Sequence, residues 1–310
     1  MKTISGDLRY NDFRDYFYGL NRHCNGTTIG FFIMESPESW TLWVSDGTDP
    51  GTKVLLNFQG RNFNSYSSST YKLSCEPDRD SAYVTAKNDD DTYSYYRIDG
   101  KTGKVSEIIS HKVPINDGFR HDGFRQRLGS KTLLAIYDPT TGKELWGYDE
   151  NTQTTGMIRD INTTTTLKYG PTYLIGTMKH GALYSGNLDD NHIAAWFTNG
   201  DPRQSRPILV LPIREGGALT HYSFSRWSSA LGPTLIFGVN RAGQTSEMWA
   251  SDGTSEGTFK LSDVGQADTE HSVTIGGRVL VKLGGVLWGT DGTVEGTEQV
   301  HQNALELIGL

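Results

Sequence analysis

Apolar and polar positions along this chain fall into short runs, and the runs recur in groups. The clearest apolar runs are TTIGFFIM at 27–34, SAYVTAK at 81–87, KTLLAIY at 131–137, PTLIFGV at 233–239 and GRVLVKL beginning at Gly277. A split version, TYLIGTM and ALYS, lies within 172–185. Each group ends on a further run: TKVLLNF, KVSEII, GMIRDI, RPILVLPI, TFKLSDV and TEQVHQ. A more mixed run opens the groups, as in FRQRLG at 124–129, SFSRWSSALG at 223–232 and HSVTIG at 271–276. β-Branched and aromatic residues dominate these runs, and Gly, Asn, Asp or Ser bound them, which is the pattern of strands joined by tight turns. No window of 11–18 residues carries a sustained helical stripe. The pattern predicts an all-β chain.

Between the runs a specific string repeats. Residues 42–52 read LWVSDGTDPGT, 248–258 read MWASDGTSEGT and 287–297 read LWGTDGTVEGT. Weaker copies begin YRIDGKTG at Tyr96, LWGYDENT at Leu145 and WFTNGDP at Trp196. The repeat aromatics are therefore Trp43, Tyr96, Trp146, Trp196, Trp249 and Trp288, spaced 53, 50, 50, 53 and 39 residues apart. Four strands in each of six such units predict a six-bladed β-propeller of four-stranded antiparallel blades. The expected blades are 11–58, 70–109, 121–161, 170–213, 221–264 and 270–302, in a single domain over 1–310. A β-sandwich and a parallel β-helix are the competing architectures. Segments 3–10 and 304–310 are both candidates for a strand that closes the ring, the second being the more apolar.

In this arrangement the repeat tryptophans sit on the third strand of each blade and wedge against the neighbouring blade. Asp46, Asp252 and Asp291 cap backbone N–H groups in the turn to the fourth strand, and glycine supplies positive φ there. These strings resemble the ELWxxDGT repeat, sometimes called hyalin-like, of bacterial and phage proteins. The strong match covers three segments of about 15 residues, and a degenerate match covers nearly the whole chain. Asn199 in the Asp place and the longer turn after Trp146 depart from the pattern. The resemblance implies a propeller-like protein exposed on a surface or linked to an assembly. It brings no catalytic residues with it.

Composition narrows the partners. The chain has 310 residues, a formal net charge of -7, 35% hydrophobic residues and 36 glycines against 10 prolines. Enough apolar material is present for a packed core, and collagen-like and disordered chains are excluded. The acidic balance argues against a nucleic-acid partner. No stretch is long and apolar enough for membrane insertion by a helix. The first twenty residues lack the apolar core of a secretory leader, so a virion-associated or extracellular place implies another route. Two cysteines, Cys24 and Cys75, are expected to be small buried fillers rather than nucleophiles or a bridge.

Candidate chemistry is thin. One Asp with hydroxyls per DGT turn is far short of a calcium loop, so no cofactor is expected, with calcium at the turns or at the acidic clusters 88–91 and 189–191 as the alternative. His111, His121, His221 and His271 fall in segments leading from one blade to the next, on the face expected to surround the channel mouth. Arg125 and Arg127 follow His121, and Tyr222, Arg226 and Trp227 follow His221. The set His121, Arg125, His221, Tyr222, Arg226, Trp227 and His271 forms the candidate ligand-binding site. Aromatics among small polar residues, as in GRNFNSYSSSTYK at 60–72, suit contacts with sugars or proteins. The expected function is a non-catalytic module for binding a surface glycan or a protein partner. Two further readings stay open: a propeller hydrolase or polysaccharide lyase using His121, His221, Arg125 and Tyr222, and a purely structural virion subunit.

Overall fold

The computed structural model describes residues 23–25, 28–36, 39–59, 71–75, 80–87, 92–112, 125–138, 140–161, 173–215, 218–219, 222–241, 246–265 and 272–302. Among them the chain is all-β, with one short 3-10 turn at Pro202–Gln204 and no α-helix. Among the described residues no helix is long and apolar enough to cross a membrane.

Four consecutive strands build each main sheet. Sheet one contains β1 (His23–Asn25), β2 (Gly30–Ser36), β3 (Ser39–Ser45) and β4 (Lys53–Gln59). Sheet two contains β5 (Tyr71–Cys75), β6 (Ser81–Lys87), β7 (Thr92–Asp99) and β8 (Val105–Lys112). Sheet three contains β9 (Arg125–Leu128), β10 (Lys131–Asp138), β11 (Gly142–Asp149) and β12 (Thr154–Arg159). Sheet four contains β13 (Tyr173–Met178), β14 (Gly181–Asp189), β15 (His192–Thr198) and β16 (Arg206–Pro212). A small hairpin follows, β17 (Arg214–Glu215) with β18 (Ala218–Leu219), which the sequence pattern does not announce. Sheet five contains β19 (Tyr222–Leu231), β20 (Thr234–Arg241), β21 (Ser246–Ser251) and β22 (Thr258–Val264). Sheet six contains β23 (Ser272–Ile275), β24 (Arg278–Leu283), β25 (Val286–Thr290) and β26 (Glu298–Gln302). Each strand pairs antiparallel with its neighbours in chain order, so every sheet is a meander. Segments 3–10 and 304–310 lie outside the described residues. Sheets one and six each have four strands without them.

One expectation changes. TYLIGTM and ALYS are not halves of one strand; they belong to β13 and β14, first and second in sheet four. The turn at 179–180 separates them, and the register shifts between Leu174 and Gly176.

The chain divides into two compact units, Met1–His121 and Asp122–Leu310. In the first, sheets one and two share a core in which Phe31, Leu42 and Val44 meet Leu73, Val84 and Ile98. In the second, an apolar cluster fills the space between each consecutive pair of sheets. Leu133 and Leu145 of sheet three meet Tyr184 and Trp196 of sheet four. Leu183, Ala195 and Phe197 of sheet four meet Phe224, Leu235 and Phe237 of sheet five. Ile236, Met248 and Ala250 of sheet five meet Val279, Val281 and Trp288 of sheet six. Neighbours along β14 and β15 thus serve opposite clusters, as the two-residue period of a strand requires. A sheet covered on both faces loses the apolar–polar alternation of a half-exposed strand, and Gly181–Gly186 is buried without a break.

All six sheets share one irregularity. The register between the third and fourth strands shifts immediately before the repeat aromatic: Leu42/Trp43, Tyr95/Tyr96, Leu145/Trp146, Ala195/Trp196, Met248/Trp249 and Leu287/Trp288. A bulge adds a residue to one strand and increases the local twist. Tyr96 and Trp196, in weak copies of the string, carry the bulge as fully as the strong copies do.

Candidate ligand-binding site

The repeated turns hold the densest polar chemistry of the described residues, and their bonds close upon themselves. Asp46 accepts at Oδ1 from the backbone N–H of Thr48, 2.9 Å, and from its hydroxyl, 2.7 Å. The Thr48 hydroxyl oxygen accepts from Gly51 N–H, and Thr52 donates its hydroxyl to the Thr48 carbonyl. Ser45 accepts from Gly47 N–H and shares a hydrogen bond with Thr52. The same set recurs around Asp252 and around Asp291. The threonine hydroxyl, above all, holds the Asp46, Asp252 and Asp291 carboxyls below the usual carboxylate range. Asn199 reproduces the cap in sheet four, its Oδ1 accepting from Asp201 N–H.

The two glycines of the string have different causes. Gly47, Gly253 and Gly292 lie at φ 88°, 88° and 91°, a region side chains disfavour. Gly51, Gly257 and Gly296 do not; a Cβ there would fall 1.9–2.3 Å from the carboxylate of Asp46, Asp252 or Asp291. The capping carboxylate lies against the second glycine, which explains their fixed spacing of five residues.

Each of several turns also seats on the preceding sheet. Arg206, opening β16, donates to the Gly253 carbonyl at 2.9 Å while its guanidinium lies 5.1 Å from the Phe197 ring centroid. His180 Nε2–H donates to the Asp252 carbonyl at 2.8 Å. Lys131 donates to the Gly200 carbonyl at 2.9 Å, joining the sheet-four turn to sheet three. In sheet six, Gly292 faces Leu231 and Ile236 of sheet five. Repeat residues are committed to joining sheets. Among the described residues no group of three or more His, Cys, Asp or Glu could hold a metal ion.

The sequence-expected site residues are dispersed in kind. His121, His221 and His271 lie outside the described residues. Arg125 opens β9, in register with Leu134. His111 lies in β8, within sheet two, rather than in a connection between sheets. Arg127 is part of β9 and forms an ion pair with Glu150 at 2.8 Å. Tyr222 and Arg226 belong to β19, the opening strand expected from the run at 223–232, which here starts one residue earlier. Tyr222 is half-buried and lies under the Arg241 guanidinium, 5.2 Å from ring centroid to Cζ.

Trp227 requires a correction. It is 1% exposed and packs in the cluster between sheets five and six, so its ring is closed to any ligand. The cause is local. The β19–β20 register jumps from Phe224 to Ser228, which turns residues 225–227 out of the ladder. Gly238 makes the room, since a Cβ there would come within 2.7 Å of the Trp227 Nε1 atom. The expectation for the cysteines also changes, because Cys75 is disulfide-bonded and Cys24 is the chain's other cysteine.

Two joining residues escaped the sequence pattern. Asp80, buried before β6, accepts from Thr28 N–H, the Thr28 hydroxyl and Ile29 N–H, fastening sheet two to the start of β2. Arg206 joins sheets four and five. Neither has a repeated position to mark it, and an isolated charged residue beside an apolar run is the only signal each leaves.

No protein-family model and no curated protein sequence matches the chain. Solved structures similar to it include a prolyl endopeptidase, at 12% identity and TM-score 0.46, over 93% of this chain and 42% of the other. TolB from Acinetobacter baumannii is similar at 14% identity and TM-score 0.37, over 89% and 64%. The β-propeller domain of the Trilobed protease from Pyrococcus furiosus is similar at 13% identity and TM-score 0.40, over 90% and 82%. The chain thus spans less than two thirds of the length of the first two.

Proposed function

We propose that the six four-stranded sheets are blades of one six-bladed β-propeller, and that this ring is a recognition or assembly module for a surface glycan or a protein partner, with no chemistry of its own. The observation that carries this reading is the bulge at the repeat aromatic, common to all six sheets. Six twisted four-stranded meanders that follow one another in chain order are the parts from which a propeller is made. The self-contained turns support a structural role for the DGT repeats and leave recognition to the irregular connections.

The Tyr222–Arg241 stack, beside the connection that carries His221, offers an aromatic face and a guanidinium to hydroxyl-rich or anionic groups. The disulfide at Cys75 favours a place outside a reducing cytosol, on a virion or a bacterial exterior. The test is binding of the chain to an array of bacterial surface glycans, alongside the Tyr222→Ala variant. Binding that Tyr222→Ala weakens about tenfold, about 1.4 kcal/mol, supports the reading. Cleavage of an arrayed glycan would replace it with the hydrolase or lyase.

A further inference from the structure

Sheets one and two meet along a seam unlike that of sheets four and five. There the first strands are longer, β13 with six residues and β19 with ten, and they pack side by side, whereas β9 and β23 have four residues each. Between sheets five and six, Ser229 and Thr274 share a hydrogen bond, and Ser272 donates to the Ser228 carbonyl. In the first unit β1 has three residues and β5 five. Their backbones run together, and the last residue of β5 is the disulfide-bonded Cys75. The other cysteine, Cys24, is the middle residue of β1. At the same end of the seam, where β1 turns into β2 and β5 into β6, Asp80 holds Thr28 and Ile29 through three hydrogen bonds, with Lys101 3.5 Å from its carboxylate.

We propose that the disulfide is a redox-sensitive staple for this seam, standing in for first-strand length, so that a dithiol reductant opens the junction of sheets one and two while sheets four to six stay closed. The chemistry is thiol–disulfide exchange. A thiolate of the dithiol attacks one cystine sulfur and expels the other as a thiolate. The second thiol of the reductant then resolves the mixed disulfide. Two electrons and two protons pass to the protein, giving two cysteine thiols and an oxidised dithiol. Once the bond is cut, the three paired residues of β1 and the Asp80 bonds are left to hold this end of the seam. The Asp80 bonds keep the entry to β2 attached. Opening is therefore local, of the kind that separates cooperative units within one chain.

Amide hydrogen exchange of the intact chain, before and after treatment with dithiothreitol, tests the proposal. Reduction is expected to raise exchange in β1 and β5 by about tenfold or more, while β19–β22 change less than about twofold. The Cys75→Ser variant should reproduce the pattern without reductant. Unchanged exchange at the seam would overturn the proposal, and so would an equal rise throughout the chain. Alkylation of two thiols in the folded, unreduced chain would overturn it as well.

Discussion

Trp249 donates its indole N–H to Glu247, two residues upstream on the same strand, across 2.8 Å. Trp43 does the same with Thr41 at 2.9 Å. Residues two apart on a strand share a face, so in sheets one and five the position before the apolar residue of the repeat supplies an acceptor. Sheet six has Val286 at this position, and the buried Trp288 Nε1 finds no acceptor among the described residues. Glu247→Ala should destabilise the chain by about 1–2 kcal/mol by leaving the donor unpaired. Val286→Thr should raise the melting temperature, because a threonine there can copy the Thr41 bond. A lower melting temperature for Val286→Thr contradicts this account of the repeat.

The close approach of Gly257 to Asp252 makes a coupled pair. Gly257→Ala alone should cost about 1–3 kcal/mol, since its Cβ would overlap the carboxylate. In an Asp252→Ala background the same change should cost at least about 1 kcal/mol less. Additive costs in denaturant unfolding would separate the two residues and refute the packing explanation.

Arg206 both covers Phe197 and bonds the following sheet's turn, as His180 does from the other side of the hairpin. Arg206→Ala is expected to cost about 1.5–3 kcal/mol, the range for a hydrogen bond from a charged group. Arg206→Lys should recover part of this. Thermal unfolding of both variants checks it, and equal loss from Lys and Ala would show that the guanidinium geometry, rather than the charge, makes the junction.

Acid should weaken the fold in a defined window. The Thr48, Thr254 and Thr293 hydroxyls lower the Asp46, Asp252 and Asp291 carboxyls, and Thr28 N–H lowers Asp80. A folded value below the unfolded 3.8 gives stability that is complete above that pH and lost as pH falls through the folded value. The melting temperature should be flat from about pH 7 to 5 and decline below about pH 4. A main loss between pH 7 and 5 would assign acid sensitivity to other groups.

Strand positions were legible because short β-branched runs and Asp-Gly turns are local signals. Trp43, Asp46, Trp249 and Asp291 stand out in the string for the same reason. Trp227 was not legible: its burial depends on a bulge in β19 and on the space at Gly238, on the next strand. The split of β13 from β14 was masked by glycines at 176 and 181, which interrupt one strand and open another. The disulfide required knowing that β1 runs beside β5, a tertiary relationship no spacing announces. The candidate site shared that weakness, because polar residues in connections carry no period by which a converging set can be told from solvated loop.

Small-angle X-ray scattering of the intact chain tests the six-bladed ring most directly. A closed propeller of 310 residues should give a radius of gyration of about 20 Å by the scaling of compact domains, with a single-peaked distance distribution. A radius well above that value, with a distribution showing two separated lobes, would contradict the closed ring and the recognition surface built on it.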